Sequence, residues 1–270
     1  MSTLARAVLL LGLVVGPGVR AAPAAPKPVL WYCQHYQAPG ENRYPPDGAY
    51  SEAMKLLAQD FEVRVSAERP ARGTLRDVAV VLIANPNERA HGTNPPPAHL
   101  NAADGRALVR FVLGGGGLVV LGNQENHNLE VADLNRHLLG RFGIELANLG
   151  YQDGKLYTLP PDAPFGAGLR WAFYMGNHVI FTGRARDQAR TVVANDPATP
   201  ALNGPRNGPG TLLAVATPGR GRVVVATDAG WLGNAALRDQ GVGGFVIRGH
   251  DNAELARQMF RWAAGREVKP

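Results

Sequence analysis

The sequence predicts an α/β fold, a mainly parallel sheet with helices on both faces and an antiparallel or irregular insertion around residues 144–217. Three observations predict it. Residues 78–84, 118–121 and 223–227 are short runs that are apolar at nearly every position, the pattern of strands covered on both faces. Amphipathic stretches at helical spacing lie between and after them. Strands that alternate with helices form right-handed βαβ units, and hence a parallel sheet.

The elements follow in order. Residues 28–33 are a run long enough for a buried strand and too short for a helix. A polar loop, 34–48, leads to a helix marked by Ala49, Ala53, Leu56 and Leu57. Residues 61–65 alternate, as a second strand does. The apolar run 78–84 opens into Asn85-Pro86-Asn87 and a proline-rich loop. Asn101 is placed to cap a helix carrying Leu108, Val109, Phe111 and Val112. Gly114 to Gly117 end it; lacking Gly-Lys-Ser/Thr at the start of a helix, they are a turn and not a phosphate loop. Val131, Leu134, Leu138 and Phe142 mark a further helix. Asp251 and Glu254 have capping-box spacing before a face of Leu255, Met259, Trp262 and Ala263.

The chain has 270 residues, of which 45% are hydrophobic and 19% charged, which argues for a packed core against disorder. Residues 1–22 read as an export signal: Arg6, an apolar run from Ala7 to Val15, the breaker Gly16-Pro17-Gly18, then Ala21 and Ala22. The run is short for a bilayer span, and an uncleaved anchor is the alternative. Residues 23–28 read as a Pro/Ala linker, 29–265 as one domain and 266–270 as a tail. The expected location is periplasmic or extracellular, with no membrane span after cleavage. The net charge of +6 is spread along the chain, so no basic stripe for nucleic acid is expected. The single cysteine, Cys33, excludes an internal disulfide framework and reads as a buried, inert thiol.

Sites in such sheets form where the strands end, at a topological switch point. That directs attention to residues 34–43, 85–91, 123–128 and 228–234. Candidate ligand-binding residues are His35, Tyr36, Asn85, Asn123, Gln124, Asn126, Asp228, Trp231 and Asn234. Rings such as Tyr36, Tyr44 and Trp231 beside amides and carboxylates suit a carbohydrate, by stacking and by bonds to hydroxyls. Glu125, His127 and Asp228 are the acid/base candidates for a hydrolase acting on a glycan or ester. Asp228 has a structural alternative, accepting loop amides and capping Ala229-Gly230. No short His spacing suggests a metal, and no cofactor is expected.

Several segments together resemble a known group. They are Arg76-Asp77 before the 78–84 run with Asn85-Pro86 after it, residues 111–122 with their glycine turn, and residues 221–228 followed by Asp251-Asn252 and Arg261-Trp262. This pattern resembles the class I glutamine-amidotransferase-like superfamily. The resemblance is to its non-catalytic branch, which includes the gliding-motility and intraflagellar-transport domain and uncharacterised exported bacterial domains, some found beside polysaccharide-degrading enzymes. It implies a flavodoxin-like core. True amidotransferases carry a nucleophilic cysteine in the turn after the strand at 118–121. Here the turn reads Gly122-Asn-Gln-Glu-Asn126, and amides cannot serve as that nucleophile. The resemblance therefore implies a binding or interaction domain, with carbohydrate or an envelope protein as partner. The alternatives are the hydrolase above and a structural subunit of an envelope assembly.

Overall fold

The computed structural model describes residues 26–125, 128–195 and 210–266. The expected signal peptide and residues 267–270 lie outside them, as do Asn126 and His127. Among the described residues nine strands form one sheet: β1 (Val29–Cys33), β2 (Glu62–Ser66), β3 (Val78–Ala84), β4 (Gly117–Leu121), β5 (Ile144–Thr158), β6 (Arg170–Phe181), β7 (Ala189–Ala194), β8 (Thr211–Ala216) and β9 (Arg222–Ala226). Their order is β2-β1-β3-β4-β9-β8-β6-β5, with β7 also on β8. The first five are mutually parallel. With β9 as the fifth strand this is the flavodoxin-like order, whose switch point lies between β1 and β3. The strands from 144 to 217 pair antiparallel and widen this core at one side.

Alternation across the pleat sends residues of each central strand to two cores. One holds Leu30, Tyr32, Leu82, Leu121 and Val224 beneath α1 (Ser51–Leu57) and α5 (Asn252–Ala263). The other holds Trp31, Cys33, Ile83, Val120 and Val225 beneath α2 (Ala102–Leu113) and α3 (Ala132–His137). A short α4 (Asn234–Leu237) packs beside α1.

Asn101 caps α2 as expected. Its side chain accepts from the N–H groups of Ala103 and Asp104, and Asp104 completes a capping box. The expected box at Asp251 does not form. Its carboxylate accepts from the Arg170 backbone at 2.8 Å instead and ties α5 to β6. The helix expected over 131–142 breaks: α3 ends at His137 and a 3-10 turn, Leu139–Phe142, follows. The break lets Leu138, Leu139 and Phe142 all bury. Among the described residues no helix is long and apolar enough to cross a membrane.

Candidate functional site

Three parallel strands end in register. Ala84 of β3 lies beside Leu121 of β4, which lies beside Ala226 of β9. Asn85, Asn123 and Asp228 therefore leave one lip of the sheet, as the sequence predicts. The ladder runs past the strands, with Asn85 N–H donating to Leu121 at 2.7 Å and Gly122 N–H to Ala226 at 2.7 Å.

The β3–β4 half of this lip is an open cleft of about 530 Å³. Glu41, Asn85, Asn87, His91, Glu125 and Asn128 border it. Its two central residues adopt left-handed backbone, Asn85 at φ 49° and Glu125 at φ 46°. Asparagine tolerates that region because its side chain can bond locally, whereas glutamate does so at a cost. Arg43 lies between two carboxylates. It bonds Glu41 through its side chain and through its backbone N–H at 2.7 Å, and it reaches Glu125 at 2.9 and 3.1 Å. Asn85 Nδ2 donates to Glu41 at 3.2 Å, while its Oδ1 is buried with no partner. The Asn123 amide donates to the Tyr44 hydroxyl at 2.5 Å, and the Arg43 guanidinium stands 5.1 Å from the Tyr44 ring centre. Burial would raise the Glu41 carboxyl, but hydrogen bonds from Arg43 and its charge outweigh this and hold it below the usual range. The cleft thus presents carboxylates and amides, with the Arg43 guanidinium bonded to both Glu41 and Glu125.

The β9 half of the lip is closed. Asp228 is fully buried. It accepts from the N–H of Tyr174 on β6 at 2.8 Å and of Gly230 at 2.6 Å, the latter being the turn cap that its position allows. Burial pushes its carboxyl up to about 7 against backbone bonds from Tyr174, Gly230, Met175 and Trp231. An acid/base role beside Glu125 is thereby overturned, because no substrate reaches it.

Six further residues singled out in the sequence do not line the cleft. Trp231 is 1% exposed and meets Trp171 edge to face at 6.1 Å, so it is core and offers no stacking platform. Tyr36 and Tyr44 are buried as well. Asn234 joins α4 to α1, accepting from the N–H of Glu52 at 2.9 Å and donating to Gly48 and Ser51. His35 faces away toward β2, with Nδ1 3.0 Å from the Ala67 carbonyl. Gln124 is buried, its amide 3.5 Å from the Met175 sulfur.

Cys33 is buried, and burial pushes its thiol up to about 12, which leaves it unreactive as expected. One cluster carries no spacing signal in the sequence: ligand-type atoms of Glu88, His99 and Asp133 lie within 4.8 Å of one another. These groups are already engaged. Glu88 accepts from the N–H groups of Asp133 and Leu134 at the start of α3, and His99 lies between Asp133 and the Glu88 carbonyl. Sequence reasoning also missed Glu41 and Arg43. Their loop was singled out, but nothing in its composition shows that it folds back over Asn85.

No protein-family model matches the chain, and no curated protein does. Solved structures do. The mmIFT52 N-terminal domain superposes with a TM-score of 0.65 at 14% identity, over 90% of this chain and 100% of that one. A putative ThuA-like protein from Bacteroides uniformis gives 0.54 at 13% identity, over 92% and 95%. The β-galactosidase from Rahnella sp. R3 gives 0.52 at 12% identity, over 88% of this chain and 31% of the enzyme. At these identities the likeness is one of fold alone, and it places the chain's architecture beside the ThuA-like and mmIFT52 N-terminal domains.

Proposed function

We propose that this chain is an exported, non-catalytic binding domain whose ligand, a carbohydrate or similar polyhydroxyl compound, enters the cleft between the β1–α1 and β3–α2 loops. One observation carries the reading: two residues with left-handed backbone, Asn85 and Glu125, line a single open cleft with the buried, Arg43-held Glu41. Strained backbone persists where the surroundings hold it, and it clusters at ligand sites. The cleft also straddles the switch point, where ligands enter open α/β sheets. Its volume lies within the range of small-molecule pockets. Carboxylates, amides and a guanidinium suit hydroxyl groups, and recognition by hydrogen bonds replaces the stacking on Trp231 that the sequence suggested.

The rival hydrolase reading has less support. Glycoside hydrolysis needs one protonated carboxyl as acid. Arg43 holds Glu41 in its charged form, and Asp228 is buried away from the cleft. Export rests on Arg6 and the apolar run after it, and N-terminal sequencing of secreted material tests it.

The test of the site is a thermal-shift screen against a panel of oligosaccharides. At least one is expected to raise the melting temperature of the wild type and to lose its effect in Arg43→Ala and Glu125→Ala. The reading fails if no compound shifts the protein, or if the shift survives both substitutions.

A further inference from the structure

A cavity larger than the cleft lies elsewhere and shares no residue with it. It is a groove of about 850 Å³ between the β2–β3 connection and α2. Its origin is topological. Parallel strands are usually joined through a helix. Here α1 joins β1 to β2 and α2 joins β3 to β4, but residues 67–77, joining β2 to β3, contain turns and no helix. Among the described residues the face beside α2 is therefore short of one helix.

α2 shows the consequence. Asp104, Leu108 and Val112 are buried, with Leu108 and Val112 part of the core beneath the helix. A second stripe, Ala103, Ala107, Arg110 and Phe111, has the spacing of a helix-packing face and lines the groove with Leu75. Among the described residues no helix packs on it. Around this apolar floor stand Arg69, Arg72, Arg76 and Arg110. Arg69 pairs with the buried Asp104 at 3.5 Å. Among the described residues Arg72, Arg76 and Arg110 make no ion pair, and the nearby Asp77 is taken by Arg64 at 2.8 Å.

We infer that this groove docks an amphipathic helix of a partner protein, with apolar residues against Ala107 and Phe111 and carboxylates toward Arg72, Arg76 and Arg110. The volume suits it: a helix about 10 Å across fills the groove with about two turns. The charge suits it too. A second copy of this chain, itself at +6, would bring like charge to a cationic groove, whereas an acidic helix neutralises it. The mode is helix-in-groove recognition, with anchors at helical spacing.

The test is selection from a displayed library of random peptides against the whole chain. Enriched peptides are expected to carry Asp or Glu together with Leu or Phe at i, i+3 or i+4. Their affinity should fall at least about tenfold in Arg72→Glu/Arg76→Glu and weaken steeply with salt. Arg72 and Arg76 are exposed, so the double variant should keep the wild-type melting curve; Ala107→Arg, which blocks the floor and preserves the positive charge, should also abolish binding. The inference is overturned if no peptide is enriched, if the enriched peptides are not acidic, or if they bind the double variant equally well. Binding of decanoate with no peptide recovered would assign the groove to small anionic amphiphiles and also overturn it. Loss of glycan binding at the cleft would leave these readouts untouched.

Discussion

Glu125 and Asp228 are carboxylates in the turns after adjacent parallel strands, on one lip of one sheet, yet they differ in almost every physical respect. Glu125 borders an open cleft, holds left-handed backbone and pairs with Arg43. Asp228 is fully enclosed and bonded to backbone N–H groups. What separates them is the neighbouring element. Beyond β9 the antiparallel strands continue, and the Tyr174 amide of β6 bonds Asp228 directly. Beyond β4 on the other side lie β3, β1 and β2, and the loop after β3 leaves space. A carboxylate at a strand end is thus open to a ligand only where the next element leaves the lip uncovered.

The contrast can be broken from the closed side first. Trp231→Ala, which empties the contact with Trp171, should cost about 3–5 kcal/mol in denaturant unfolding. A small effect would mean that the ring is not core. Asp228→Asn should cost about 2 kcal/mol, because an amide replaces one acceptor of several buried N–H groups.

Asp228 and Glu41 set a pH dependence with two opposite slopes. Asp228 has its folded value raised to about 7, so its contribution is complete below about pH 4 and is lost as pH rises from about 4 to about 7. Glu41 has its folded value lowered, so its contribution is present above about pH 4 and is lost on further acidification. The combined contribution of these two groups should therefore peak near pH 4. Asp228→Asn should remove the part of the pH profile between about 4 and 7 that belongs to Asp228 and leave the acid limb intact. A melting-temperature difference between wild type and Asp228→Asn that does not change between pH 4 and 7 would contradict this account.

On the open side, Arg43→Ala should abolish ligand-induced stabilisation. It should also cost about 1–3 kcal/mol at neutral pH by leaving Glu41 buried without its partner, a loss that shrinks as Glu41 is protonated. The smallest effect is the most discriminating. Glu125→Gly should raise stability by up to about 1 kcal/mol by relieving the positive φ, while weakening the ligand. A fall in stability would show that the Arg43 contact outweighs the strain.

Much of the parallel core was legible in the sequence. β3 and β4 are so uniformly apolar that only a doubly covered strand accommodates them, and Asn101 announces α2 through local hydrogen bonds. The site was legible only as a place. That Asn85, Asn123 and Asp228 share a lip follows from strand direction. Which of them meets solvent depends on β6 lying near β9, a contact between residues far apart in the chain. Trp231 illustrates the same limit, because a tryptophan between glycines looks the same whether Trp171 covers it or water does. Asp251 failed as a cap for a similar reason: Arg170 on β6 competes for its carboxylate. The stripe on α2 was readable as amphipathic, but the missing neighbour was visible only once residues 67–77 proved to hold no helix.

The two rims of the sheet have a consequence for how copies of the chain coexist. An unpaired strand edge is a template on which another backbone can add. At one rim β2 is only five residues long and presents Glu62 and Arg64. At the other, β5 is long but its pairing is interrupted twice, between Ala147 and Tyr151 and between Gln152 and Lys155. Brevity and charge at one border, and irregularity at the other, make both of these rims poor templates for a further strand.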